Sequence, residues 1–166
     1  MKKLLVLSII ALLALSSCKK WQHKYPEDTE RTKDTATERL TDKWWTLKSA
    51  YVNGSDYTNT IHDTLGKFSI FFSNNLYETS LNGNKIFYGT INTELDSPFT
   101  ILWSFINNET QIFIGRINGN TTKSAFVPQY YPTNNNHTIM KLTSSEMKIV
   151  IEPVSGLTII NIFTII

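Results

Sequence analysis

The chain has 166 residues, of which 41% are hydrophobic, 18% charged and 12% aromatic, with one cysteine and a formal net charge of +2. Near-neutrality removes the electrostatic case for nucleic acid, a single cysteine excludes a disulfide scaffold, and the length accommodates one ordinary domain. Composition bounds the class of protein and leaves the ligand open.

Lys2 and Lys3 precede the apolar runs Leu4 to Leu7 and Ile9 to Leu15. An apolar stretch of about a dozen residues is too short for a bilayer core that takes roughly 20, so residues 1–17 are expected to be a signal peptide. The segment ends in Leu15-Ser16-Ser17-Cys18, which resembles the lipobox of bacterial lipoproteins. That resemblance implies cleavage before Cys18, a lipid on its sulfur and an acylated new N-terminus. The alternative is an ordinary secretory signal with a chance cysteine. Loss of the leader removes Lys2 and Lys3 from the 16 basic residues and matches the remainder to the 14 acidic ones. It also leaves the folded part without a thiol, which excludes thiol catalysis and cysteine–metal sites.

Residues 18–40 are rich in Lys, Glu, Asp, Thr and Arg, with Trp21, Tyr25 and Ala36 among the few apolar positions. Such a segment buries too little surface to offset its ordering entropy and reads as a flexible tether with a root-mean-square span of about 25 Å. A turn or two of helix over 35–42 leads into the domain, residues 41–166.

From there the period is two. Phe99, Ile101, Trp103 and Phe105 alternate with Thr100, Leu102, Ser104 and Ile106, and Met147, Ile149 and Ile151 share a face in the same way. Strands are predicted at 44–52, 67–73, 76–81, 85–92, 99–106, 110–117, 122–127, 138–143, 146–152 and 157–165. Turns separate them at Ser73-Asn74-Asn75, Asn82-Gly83, Asn107-Asn108, Asn118-Gly119-Asn120, Ser144-Ser145 and Ser155-Gly156. The fold class is all-β, an antiparallel up-and-down barrel in which the last strand closes on the first; a two-sheet β-sandwich is the alternative.

The phrase Leu40-Thr41-Asp42-Lys43-Trp44-Trp45-Thr46-Leu47, the turn Asn53-Gly54-Ser55-Asp56, the strand Phe68-Ser69-Ile70-Phe71-Phe72 and the later Ile139 to Ile149 resemble the lipocalin-like domain of lipoproteins of the Bacteroidota. The resemblance covers roughly residues 40 to 152 and departs at Lys43, where that family has Gly. It implies a lipocalin-like barrel and a binding role.

Catalysis is not signalled. His23, His62 and His137 show no metal-ligand spacing, the set Ser55, His62, Asp63 and Thr64 is adjacent only in sequence, and the acids Asp56, Glu78, Glu94, Asp96, Glu109, Glu146 and Glu152 fall mostly beside turns. No enzyme activity, cofactor, metal or nucleic-acid partner is expected. The expected ligand is a small apolar molecule or a glycan, held in an apolar pocket lined by Trp103 and Phe105 and covered by the long connection Asn53 to Gly66, which carries Tyr57. Thr79, Ser104 and Gly115 leave room if they face inward. The connection Ser124 to Asn136 carries Tyr130 and Tyr131, aromatics suited to stacking on a sugar or peptide or to plugging the barrel. The alternative function is a protein-interaction or inhibitor module acting through its loops with a filled barrel. Asp34-Thr35-Ala36 and Asp63-Thr64-Leu65 resemble the O-glycosylation tripeptide of Bacteroidota exported proteins, which marks Thr35 and Thr64. The expected location is the cell envelope at the outer membrane, on its periplasmic or surface face, as a lipid-anchored monomer.

Overall fold

The structure, a computed structural model, describes residues 24–29, 32–95, 97–116, 135–154 and 156–165. The signal peptide, Cys18, Tyr130, Tyr131 and the strand predicted at 122–127 lie outside them.

Helix α1 (Ala36–Leu40) begins where Thr35 can cap it: the Thr35 hydroxyl accepts from the Glu38 amide at 3.2 Å, and the Glu38 carboxylate accepts from the Thr35 amide at 2.6 Å. Strands β1 (Trp44–Val52) and β2 (Ser55–Asp56) follow, then helix α2 (Thr58–Leu65), β3 (Phe68–Thr79), β4 (Lys85–Thr93), β5 (Phe99–Ile106), β6 (Gln111–Arg116), β7 (Asn135–Leu142), β8 (Glu146–Val154) and β9 (Leu157–Ile165). β3 pairs with β1, and from β3 to β9 each strand pairs antiparallel with the next in chain order. The ring closes as the sequence predicts, β1 pairing with β9 from Trp45↔Ile165 to Val52↔Ile159. The result is a closed barrel of eight strands, with β2 a short appendage of β1. Closure rules out the two-sheet sandwich.

Three expectations are corrected. Ser73-Asn74-Asn75 does not turn. Register shifts between Phe72 and Leu76 and between Leu76 and Glu78 absorb the polar residues as bulges, so β3 runs unbroken for 12 residues and its outer half, with the start of β4, forms a ribbon that extends past the first residue of β1. The connection Asn53 to Gly66 is no open loop, because α2 buries Ile61 and Leu65 against the barrel. And residues 24–29 are not a tether. Tyr25 and Asp28 are buried, the Glu27 amide donates to Met140 O at 2.8 Å, and Lys148 pairs with Glu27. The composition of the segment conceals two specific contacts. The Asp28 carboxylate accepts from the Leu142 amide at 2.8 Å and pairs at 3.1 Å with Arg39, whose guanidinium also donates to Leu142 O. Those bonds, with the buried Tyr25 ring, fix where the segment sits on the barrel.

The barrel has two ends. The α1 end carries residues 24–29, α1 and the β3–β4, β5–β6 and β7–β8 turns. The α2 end carries α2 and the opposite connections. Between them the interior is filled: Trp45, Ile70, Phe72, Trp103, Ile114 and Phe163 are all fully buried in one cluster. Thr79, Ser104 and Gly115 open no space inside, since Gly115 pairs with Leu102 and Ser104 with Phe113 on the face opposite Trp103, while Thr79 lies in the protruding ribbon. Gly89 does face inward. A Cβ there would stand 2.8 Å from Phe71 O and 2.9 Å from the Ile101 side chain, so its bareness is what lets Ile101 fill the wall.

Candidate functional rim of the barrel

Trp103 stands at the centre of an aromatic cluster. It stacks on Phe87 at 4.8 Å between centroids and meets Phe72 and Phe105 edge-on at 5.6 and 5.5 Å. Its indole N–H donates to Tyr88 O at 2.9 Å and Ser73 O at 3.1 Å, which pins the ring to the base of the ribbon. Trp103 is therefore core, and the expected ligand contact at this residue is corrected to a supporting role. Phe105 and Phe87, only partly buried, are the members of the cluster that reach open space.

That space is a cleft of about 580 Å³ at the α1 end. Phe87, Phe105 and Ile106 form its apolar part, and Asn74, Asn84, Asn107 and Asn108 surround them with amides, each able to donate and accept. Lys85 and Glu109 add one charge of each sign. The β5–β6 turn holds Asn107, Asn108 and Glu109 at φ of 50°, 55° and 64°, three successive left-handed residues. Asparagine tolerates that conformation and Glu does so at a cost of order 1–2 kcal/mol. Thr110 steadies the turn, its amide and hydroxyl both donating to Asn107 O, and Glu109 is ion-paired to Lys24.

A second depression, about 530 Å³, lies on the outer wall where β1 and β3 part, lined by Trp44, Thr46, Lys67, Ser69, Asn92 and Glu94. The outer wall also carries an aromatic pair, Trp44 with Phe71 at 5.3 Å, and a second, Tyr77 with Tyr88, at 5.2 Å.

The other expected residues do not converge on either place. Tyr57 sits at the opposite end, at the N-terminus of α2, its amide donating to Ala50 O. The cover expected over Trp103 and Phe105 is thus at the end of the barrel opposite the cleft that Phe105 lines. Thr64 is exposed on α2 and donates to Thr60 O at 2.7 Å, while the Thr35 oxygen is engaged as the cap of α1. His62 is exposed on α2 and His137 is fully buried on β7. Among the described residues no three His, Cys, Asp or Glu side chains are grouped as metal ligands would be, and no helix is long and apolar enough to cross a membrane.

Comparison of the chain with known protein families, with curated proteins and with solved structures gives no match in any of the three.

Proposed function

We propose that the chain is a lipid-anchored envelope protein whose barrel is a binding module, non-catalytic, that holds its ligand at the rim of the α1 end and not in its interior. One observation carries the reading: the inside of the barrel is occupied by fully buried side chains, while the cleft beside Phe87 and Phe105 is open. Two phenyl rings within a frame of amides suit a molecule with an apolar face and a rim of hydroxyl or amide groups, so a glycan fits better than a wholly apolar chain. Calorimetric titration with oligosaccharides of glucose, xylose and N-acetylglucosamine tests it. Submillimolar binding, above about 4 kcal/mol, should be lost in Phe105→Ala and Asn107→Ala. Binding that survives both changes, or none with any of the three, overturns the rim reading.

The ribbon favours a second reading, in which the domain acts by docking. Leu76, Tyr77, Leu81 and Tyr88 are all exposed on it, a concentration of apolar surface that a filled barrel does not need for its own stability.

A further inference from the structure

We propose that the tip of the β3–β4 ribbon is a membrane-contact element, touching the bilayer that carries the lipid of Cys18 while the cleft behind it stays open for its ligand. The proposal rests on the reading of Cys18 as the lipidated residue.

Chain length supplies the first argument. Residues 24–29 are fastened to the α1 end by Lys24 on Glu109, Glu27 on Met140 O and Lys148, and Asp28 on Leu142 and Arg39. Only residues 19–23 separate Cys18 from Lys24, a fully extended reach of about 20 Å. The lipid therefore holds the α1 end close to the headgroups, whereas the α2 end is a further barrel height away, about 20–25 Å for nine-residue strands tilted as in a closed barrel. Glu109, paired to Lys24, lines the same cleft as Gly83, Asn84 and Lys85 of the ribbon tip, so the ribbon stands on the tethered side of the molecule.

The distribution of exposed apolar side chains supplies the second. Of the six large ones among the described residues, Trp44, Leu76, Tyr77, Leu81 and Tyr88 lie at or toward the α1 end, and Leu95 alone is at the other. Leu81 is at the very tip of the hairpin and wholly exposed. Tyrosine and tryptophan suit the headgroup layer, where a ring meets hydrocarbon and its polar atom meets water. Three bonds close the tip: the Ser80 amide donates to Asn84 O, the Gly83 amide to Ser80 O, and the Ser80 hydroxyl accepts from the Asn84 amide. Its remaining backbone groups suit the headgroup layer, where water still reaches them, rather than the hydrocarbon core. Glu78 and Lys85 flank the tip, which limits insertion to headgroup depth. The short tether keeps the tip at high local concentration near the surface, so a contact too weak to recruit a free protein suffices here.

The test uses the full acylated chain in phosphatidylcholine vesicles. Acylation consumes the only native thiol, so Leu81→Cys and, at the exposed opposite end, Asn59→Cys each offer one site for an environment-sensitive fluorophore. The label at 81 is expected to shift to the blue, to be quenched by lipids brominated near the headgroup, and to be several-fold less open to aqueous iodide than the label at 59. Equal iodide access at the two positions overturns the proposal. So does a label at 81 that is shielded in intact cells but not in vesicles, which would assign the ribbon to a protein partner. A Cys18 that takes up no labelled fatty acid overturns the lipidation reading and the proposal with it. Both substituted side chains are exposed, so folding is not at issue.

Discussion

Arg39 and Asp28 are a fully buried charge pair in a chain otherwise held by apolar packing. Attraction between such charges roughly offsets their desolvation, but removing one strands the other. Arg39→Met should therefore cost about 3–5 kcal/mol in urea unfolding, while the double variant Arg39→Met with Asp28→Leu should recover part of that loss. Tyr25, over whose ring the Arg39 guanidinium lies at 5.3 Å, behaves differently. Its hydroxyl is buried without a partner, and burial pushes the phenol far above its ordinary value of 10.0, with Arg39 opposing. The folded state thus keeps a proton that the unfolded chain releases, so stability is at its full value below pH 10 and declines as the pH rises above it. Tyr25→Phe is expected to be neutral or slightly stabilising at pH 7 and to remove that alkaline decline, as melting curves between pH 7 and 11 would reveal. Gly89→Ala presses a methyl group on Phe71 O and Ile101 and should cost about 1–3 kcal/mol by the same unfolding assay.

At the scale of elements, α1 depends on its cap. Thr35→Ala removes the acceptor for the Glu38 amide and should cost about 1 kcal/mol, with Thr35→Ser recovering most of it. Both sequence-marked threonines are exposed, and a sugar would crowd the Thr35 cap oxygen or remove the proton that Thr64 donates to Thr60 O; intact-mass spectrometry of Thr64→Ala against Thr35→Ala separates them. The strands were legible because alternation survives burial: Ile101 and Trp103, like Met147, Ile149 and Ile151, do share the inner face. β3 misled because Ser73-Asn74-Asn75 is turn-forming locally, and only pairing with β4 across two bulges makes it strand. The rim cleft was half legible. Phe105 falls in it by periodicity, but Phe87 enters only through its pairing opposite Trp103, and the asparagines through turns that converge in space. Nothing local marks Asp28, whose partner Leu142 is 114 residues away and contributes a backbone amide.

For the whole molecule, residues 24–29 are fastened to the α1 end of a barrel with a filled core, so on the proposed lipidation of Cys18 only five residues would separate the anchor from the domain. Cys18→Ser is expected to release the protein from the membrane fraction and to abolish fatty-acid incorporation, without altering the near-ultraviolet spectrum of its buried Trp45 and Trp103. The closed ring also makes the cut between first and last strand arbitrary. β1 and β9 run side by side, with Trp45 opposite Ile165, so a hairpin-length link could join residue 165 to residue 44 and the chain could be opened elsewhere. A circular permutant beginning at Gly83 and ending at Asn82 should keep every strand pairing of the ring but lose α1 and residues 24–29, including Leu40 O, which accepts from the Trp45 indole N–H, so its near-ultraviolet signal should change at Trp45 while the far-ultraviolet strand signal stays. Such a protein would leave its domain with a free end at the ribbon tip and would present any appended anchor from there, independently of residues 24–29.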